Sequence, residues 1–203
     1  MALVLNGSGS ITGLSAGGLP DGSVTADDIA STLDLSGKTV TLPAGTGGKV
    51  LQVVSTTKTD TFSSSLASAA RTAITGLSVS ITPSSATSKI LIISHVSMAA
   101  QNVGCAAILK RNSVDICTGT GEGLRAGATV GSAKLISSYE DSPVSSFTFL
   151  DSPSTTSSTT YSVDIFNGRS AFDTVYVNRG SSDSNYSYTV RTSSTITVME
   201  IAA

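Results

Sequence analysis

Charge and aromatic rings are scarce in this sequence. Only 13% of its 203 residues are charged, only 5% are aromatic, and tryptophan is absent. The formal net charge is -2, so the chain lacks the basic surface of a nucleic-acid-binding protein and the polybasic run that binds anionic lipid. We therefore predict no nucleic-acid partner and no electrostatic attachment to a membrane.

Long apolar runs are also missing. The most apolar stretch, residues 89–98, is far shorter than the roughly 20 residues needed to span a membrane. The apolar residues 1–5 have no basic region before them and run directly into Asn6-Gly7, so no signal peptide is predicted. These features predict a protein that is made in a cytoplasm and is not inserted into a membrane.

Residue types that build catalytic and metal sites are few. The only histidine, His95, falls inside a predicted strand, which does not favour a Ser-His-Asp triad, and no clustered His and Cys residues suggest zinc. In the carboxylate pairs Asp27-Asp28 and Glu140-Asp141 the two side chains point apart, unlike the paired acids of a glycosidase. The sequence thus predicts a non-enzymatic protein with no catalytic residues, no metal site and no cofactor.

The two cysteines flank a predicted hairpin turn at Asn112-Ser113. A two-residue turn pairs Arg111 with Val114 and does not place Cys117 opposite Cys105. A disulfide needs Cα atoms within about 7 Å. We therefore predict two free thiols at small core positions.

What the chain does contain is serine and threonine, about a third of all residues, together with Ala, Val, Ile and Leu. This composition favours strands and turns over helices. Alternating apolar and polar residues after position 48 predict strands at 50–55, 74–82, 90–98, 106–110, 114–117, 134–139, 146–150, 160–166, 174–177, 186–191 and 195–201. Residues 49–203 are therefore predicted to form an all-β domain, an antiparallel β-sandwich of jelly-roll-like type.

Several of these strands are apolar on both faces. Leu91 and Ile93 alternate with Ile90 and Ile92, which also marks a central strand, and the pattern recurs in strand 195–201. A two-sheet sandwich covers only one face of each sheet, so the other apolar face needs a second cover. A homotrimer interface would supply it, and a monomeric sandwich with short edges is the alternative.

The first 48 residues differ from the rest because they are rich in Gly and Ser and contain few large apolar residues. A turn at Pro20-Asp21-Gly22 precedes one predicted short helix, capped by Thr25 and ending before Asp34. Such a segment cannot fold alone and becomes ordered only with other copies or with a partner. We predict that residues 1–48 are an attachment and oligomerisation segment whose assembly buries Ile11, Leu14, Leu19, Ile29, Leu33, Leu35, Val40 and Leu42.

The last third of the chain carries the residues best suited to surface recognition. Aromatic rings next to polar side chains can hold a sugar by stacking and hydrogen bonding. The candidate residues are Phe172, Tyr176, Arg179, Asp183, Asn185 and Tyr186. Tyr176 and Tyr186 equally fit strand residues that pack locally.

Several motifs resemble those of tail-fibre-like structural proteins of tailed bacteriophages, especially of marine and cyanobacterial phages. The resemblance covers about the first 95 residues, and the motifs are Asn6-Gly7-Ser8-Gly9, Gly13-Leu14, Leu19-Pro20-Asp21-Gly22-Ser23-Val24, Gly48-Lys49-Val50-Leu51-Gln52-Val53, Leu77-Ser78-Val79-Ser80-Ile81-Thr82-Pro83 and Ser88-Lys89-Ile90-Leu91. It implies a virion protein, commonly trimeric, with its N-terminus toward the particle.

Together these observations predict a trimeric phage fibre that contacts other virion proteins through its N-terminus and binds a host surface glycan. A capsid decoration or head-fibre protein with a purely structural role is the main alternative. A polysaccharide depolymerase and a cellular adhesin are the others. The expected location is the virion, after synthesis in the host cytoplasm.

Overall fold

A computed structural model describes residues 49–102, 104–123, 125–132, 142–168 and 171–203. Within these residues the chain forms the strands β1 (Val50–Lys58), β2 (Phe62–Leu66), β3 (Arg71–Ile81), β4 (Lys89–Ala100), β5 (Cys105–Arg111), β6 (Val114–Asp115), β7 (Val130–Ser132), β8 (Val144–Asp151), β9 (Thr159–Asn167), β10 (Asp173–Val177) and β11 (Ser194–Ile201). The predicted attachment segment 1–48, with its short helix and apolar residues, and the predicted strand 134–139 lie outside the described residues. Nowhere in the described ranges is there a helix long and apolar enough to cross a membrane.

The strands form two antiparallel sheets. The large sheet has the order β1-β11-β4-β10-β2, with β8 also paired to β4, and the small sheet has the order β3-β9-β5-β6, with β7 also paired to β5. The two sheets enclose a shared apolar core, which confirms the predicted all-β sandwich.

Strand β4 is central to the large sheet, as its apolar sequence predicted. It pairs with β11 along Lys89–His95, with β8 along Ile90–Ser97 and with β10 along Met98–Ala100. Its residue Ser97 accepts a hydrogen bond from the Asn178 N–H (2.9 Å) and donates its own N–H to Ser194 Oγ (3.0 Å). Since N–H and C=O of one strand residue point to the same edge, β10 and β11 follow one another along one edge of β4.

Alternation along each strand decides which side chains enter the core. In β11, Ile196 and Val198 are buried, while the residues that alternate with them along the strand are half-buried. In β9 the alternating apolar residues Tyr161, Val163 and Ile165 are all fully buried. The alternating apolar residues of β3 are buried as well, namely Leu77, Val79 and Ile81.

The predicted hairpin turn is confirmed. Arg111 pairs with Val114, and Asn112 and Ser113 both have positive φ (46° and 71°), the backbone conformation of a type I′ turn. No disulfide joins Cys105 and Cys117, as predicted, and Cys105 is buried in the core while Cys117 packs at its margin.

Two strand predictions need correction, and two strands were missed. Residues 186–191 form a loop and not a strand, because their backbone groups bond within the loop and none of the described strands pairs with them. Strand β6 ends at Asp115, before the predicted end at position 117, and Cys117 has a positive φ of 54°. Strands β2 and β7 were not predicted, because serine and glycine obscure their apolar alternation.

Two buried carboxylates close one end of the sandwich, where Ile90 lies opposite both Glu200 and Asp151. The Glu200 carboxylate accepts hydrogen bonds from Gln52 Nε2 (2.6 Å) and from the N–H and Oγ of Ser84 (2.7 and 2.6 Å). These donors replace water around the buried charge, so the anion is tolerated in the interior.

The second carboxylate links the two sheets. Asp151, at the end of β8, accepts hydrogen bonds from Arg111 Nη1 (2.8 and 2.9 Å) and from the Tyr161 hydroxyl (2.7 Å). Burial and the neighbouring Asp151 raise the pKa of Tyr161, so this hydroxyl stays a donor. The large sheet is thus joined to β5 and β9 of the small sheet by polar contacts as well as by the core.

Candidate functional site

The segment between β10 and β11, residues 178–193, is named here the tyrosine loop. Its base is held by Asn178, which is fully buried. The Asn178 amide donates to the carbonyls of Lys58 and Asp60 (2.9 Å each), and its Oδ1 accepts from Ser194 Oγ (2.6 Å). Because Asn178 has a positive φ of 63°, which asparagine tolerates well, the chain turns sharply out of the sheet at this residue.

The loop is also braced internally. The Arg191 guanidinium makes a two-pronged ion pair with Asp183, with Nε–Oδ1 and Nη2–Oδ2 distances of 3.0 and 2.7 Å. At the tip, the Thr189 N–H donates to the Tyr186 carbonyl (3.1 Å), which forms a tight turn. These bonds hold the outgoing and returning halves of the loop together.

Two tyrosines project from the tip. The rings of Tyr186 and Tyr188 are stacked, with centroids 5.1 Å apart and planes inclined by 10°. Their side chains are nevertheless 60% and 61% exposed. Each ring therefore packs on the other with one face and leaves most of its remaining surface open to a ligand.

A second aromatic group lies at the start of the loop. The Arg179 guanidinium sits 4.4 Å from the centroid of the Tyr176 ring, a close cation–π contact. In β10 the neighbouring Val175 and Val177 are fully buried, so half-buried Tyr176 faces away from the core. Arg179, at the start of the loop, therefore lies on the outer side of the large sheet.

The charge on Asp183 is fixed by its surroundings. Hydrogen bonds from Arg191, together with the positive charges of Arg191 and Arg179, outweigh the effect of burial and lower the pKa of the Asp183 carboxyl. The same pairing raises the pKa of Arg191. Asp183 therefore remains an ionised hydrogen-bond acceptor at neutral pH.

The structure brings three of the six sequence-predicted recognition residues close to one another and places two more in the same loop. Tyr176 and Arg179 are in contact, Asp183 lies within electrostatic reach of Arg179, and Asn185 is exposed beside Tyr186. Tyr176 is a strand residue in β10, as the alternative interpretation predicted, whereas Tyr186 lies in the loop and not in a strand.

Phe172, which is 67% exposed, lies at the opposite end of β10. At about 3.3 Å per residue it is roughly 13 Å along the strand from Tyr176. It is therefore separate from the tyrosine loop.

Three residues of this site were not predicted from the sequence: Asn178, Tyr188 and Arg191. Tyr188 had a detectable signal, since a Tyr-Ser-Tyr sequence within a serine-rich segment places two rings two residues apart. The roles of Asn178 and Arg191 depend on residues that are distant in the sequence or on the loop conformation, so no local pattern identifies them.

This arrangement suits binding rather than chemistry. Tyr, Ser, Asn and Gly dominate the loop, a composition typical of recognition loops, because tyrosine provides rigid contact area and small polar residues provide hydrogen bonds. Tyrosine rings can stack on the apolar face of a sugar ring, and Asp183 can accept hydrogen bonds from its hydroxyls. Within the described ranges no group of three His, Cys, Asp or Glu residues is placed to hold a metal ion.

Comparison with known proteins gives similarity in structure but not in sequence. No protein-family model and no curated protein matches the chain. Similar solved structures include the infectious bursal disease virus VP2 subviral particle, with 15% identity, a TM-score of 0.33, and 75% of this chain and 38% of that chain covered. The T13 particle of the same virus gives 12% identity, a TM-score of 0.33, and coverage of 81% and 40%. This chain thus spans about two fifths of the length of those viral chains.

Proposed function

We propose that this chain is a non-enzymatic structural protein of a tailed-bacteriophage particle. In this proposal it is a short trimeric fibre, attached to other virion proteins through residues 1–48, whose β-sandwich binds a host surface glycan. The virion role is supported by the resemblance of the first 95 residues to tail-fibre-like proteins. The attachment role is supported by the scarcity of large apolar residues in the first 48.

The binding role is carried by one observation, the exposed Tyr186–Tyr188 stack on a loop whose base is hydrogen-bonded into the sandwich. A preorganised aromatic surface loses little conformational entropy when a ligand binds. The position of the loop also suits display. Strand β1 runs for about 26 Å from Val50, given its rise per residue, and its last carbonyl is bonded to the base of the loop.

A binding assay with the full chain tests the glycan role. We expect the wild-type protein to bind host-derived polysaccharide on a glycan array. The double variant Tyr186→Ala/Tyr188→Ala should bind more weakly, because two aromatic contacts of about 1 kcal/mol each correspond to a roughly 30-fold loss of affinity. The matched control is Phe172→Ala, which removes an equally exposed ring at the far end of β10 and should bind as wild type does.

Two results would change the proposal. Equal binding by the wild type and the double variant would exclude the tyrosine loop as the site. If the wild type binds no host glycan yet antibodies against it label the capsid of purified particles, the chain is a decoration or head-fibre protein with a purely structural role. Labelling at the tail would support the fibre.

A further inference from the structure

We propose that the outer face of the large sheet, across β1, β11, β4 and β8, is the surface through which copies of this chain associate. This inference rests on the proposed function, because it names the surface that makes the trimer. In the strand register, Val53 lies opposite Met199, Met199 opposite Leu91, and Leu91 opposite Leu150. An unbroken apolar row therefore crosses four strands.

This row faces away from the core. The neighbouring residues Ile92 and Val198 are fully buried, so the residues that alternate with them point outward. Val53 is 55% exposed and Leu150 is 53% exposed, so two large apolar side chains within strands are open to water. The described residues of the chain thus leave this row largely uncovered.

The next two rows of the face are uncharged. They contain no Lys, Arg, Asp or Glu, and their members are Ser55, Thr197, Ile93 and Thr148, then Thr57, Thr195, His95 and Ser146. Several of their polar groups already have partners on the same face. Ser55 Oγ lies 2.8 Å from Thr197 Oγ1, and Thr195 Oγ1 lies 3.0 Å from His95 Nδ1. Covering the face therefore strips little water from unpaired polar groups.

The outer face of the small sheet has the opposite character. There Lys110 Nζ lies 3.1 Å from Asp164 and 3.4 Å from Asp115, and Arg71 also pairs with Asp115. Charged side chains are thus gathered on the outer face of the small sheet, whereas the three rows on the large sheet contain no Lys, Arg, Asp or Glu. Depletion of charge is the feature that marks the centre of a protein–protein interface.

The partner that fits this face best is a second copy of the same chain. A charged ligand would find no counter-charge within the three rows, whereas two uncharged faces complement each other. Four strands about 4.8 Å apart and seven residues long give a face of roughly 19 by 23 Å, on the order of 400 Å². In a trimer each copy meets two neighbours, and exposed Leu51 and Val144 extend the contact toward the roughly 800 Å² per partner of a stable interface.

The mass of the full-length chain in solution, measured by analytical ultracentrifugation, tests this surface. Ile93→Lys places a charge at the centre of the face, at a side chain that is 42% exposed and outside the core. We expect the wild type to sediment as a trimer and Ile93→Lys to show a threefold loss of mass with an unchanged circular dichroism spectrum. The matched control, Ser80→Lys, places the same charge on an exposed strand position of the small sheet and should remain trimeric.

Each other outcome has a distinct meaning. A wild-type monomer would overturn both this surface and the trimer of the proposed function. Trimers that persist in Ile93→Lys would overturn the surface alone and leave the fibre standing. A wild-type dimer that Ile93→Lys dissociates would support the surface and overturn the trimer. An altered circular dichroism spectrum would mean that Ile93→Lys disturbs the fold. The mass of Ile93→Ser would then be measured instead, and the same threefold loss is expected.

Discussion

Protonation of Glu200 should weaken the sandwich in acid. Burial alone would raise the pKa of this carboxyl, but hydrogen bonds from Ser84, Gln52 and Ser88 outweigh burial and lower its pKa from 4.5 to about 2. A tenfold change in proton affinity corresponds to about 1.4 kcal/mol. The ionised carboxylate therefore adds on the order of 3 kcal/mol to the free energy of unfolding.

The sign of the effect follows from the direction of the pKa change. Because the pKa of Glu200 is lower in the folded chain than in the unfolded chain, the contribution is complete above about pH 5. It is lost progressively as the pH falls from about 5 to about 2, where the unfolded chain takes up the proton more readily.

Replacing Glu200 with glutamine removes this titration with little change in size. We expect Glu200→Gln to be less stable than wild type by about 2–3 kcal/mol at pH 7, and the difference to shrink steadily toward pH 2. Urea denaturation followed by circular dichroism at pH 7, 5, 4 and 3 would measure it. The matched control is Glu122→Gln, since that side chain is 81% exposed and paired only at the surface. A difference between wild type and Glu200→Gln that stays constant from pH 7 to pH 3 would refute the reasoning.

Three further substitutions test other polar contacts. Asn178→Ala should lower the unfolding free energy by about 2–4 kcal/mol, because it leaves buried partners unpaired, and faster hydrogen exchange within residues 178–193 would show that the loop has lost its anchor; unchanged exchange would contradict that role. Tyr161→Phe keeps the ring but removes the donor to Asp151, so urea denaturation should show a loss of about 1–2 kcal/mol, and no loss would mean that this bond adds nothing. Arg191→Ala should raise the pKa of Asp183 toward its ordinary value in an NMR titration of the carboxyl, and an unchanged pKa would show that the ion pair is not its cause.

The sequence predicts the sandwich well because burial in a sheet leaves a local record. Alternation of apolar and polar residues identified β3, β9 and β11 as strands, and the doubly apolar β4 was correctly placed at the centre. Alternation fails as a predictor where pairing with a neighbouring strand decides whether a segment becomes a strand. Residues 186–191 alternate as a strand would but have no neighbouring strand, whereas β2 alternates weakly and is ordered by pairing with β10.

The sequence predicted two aromatic residues of the candidate site but not the residues that hold the tyrosine loop in place. Tyr176 and Tyr186 stand out because aromatic residues are scarce in the chain. The contacts of Asn178 with the carbonyls of Lys58 and Asp60 join residues about 120 positions apart, since their sequence separations are 120 and 118. Contacts of that kind become visible only after the sheets have been assembled.

The order of β10 and β11 along one edge of β4 has a consequence for how this domain can diversify. Together β10 and β11 form a single line of strand along β4, which the tyrosine loop interrupts opposite Ser97. Asn178 and Ser194, at the two ends of that loop, are both hydrogen-bonded to Ser97. The residues between them are therefore uncoupled from the register of the sheet. Because loop-closure entropy grows slowly with length, doubling such an insertion costs only about 0.6 kcal/mol. New surface chemistry can be substituted or inserted there while the sandwich beneath it keeps its structure.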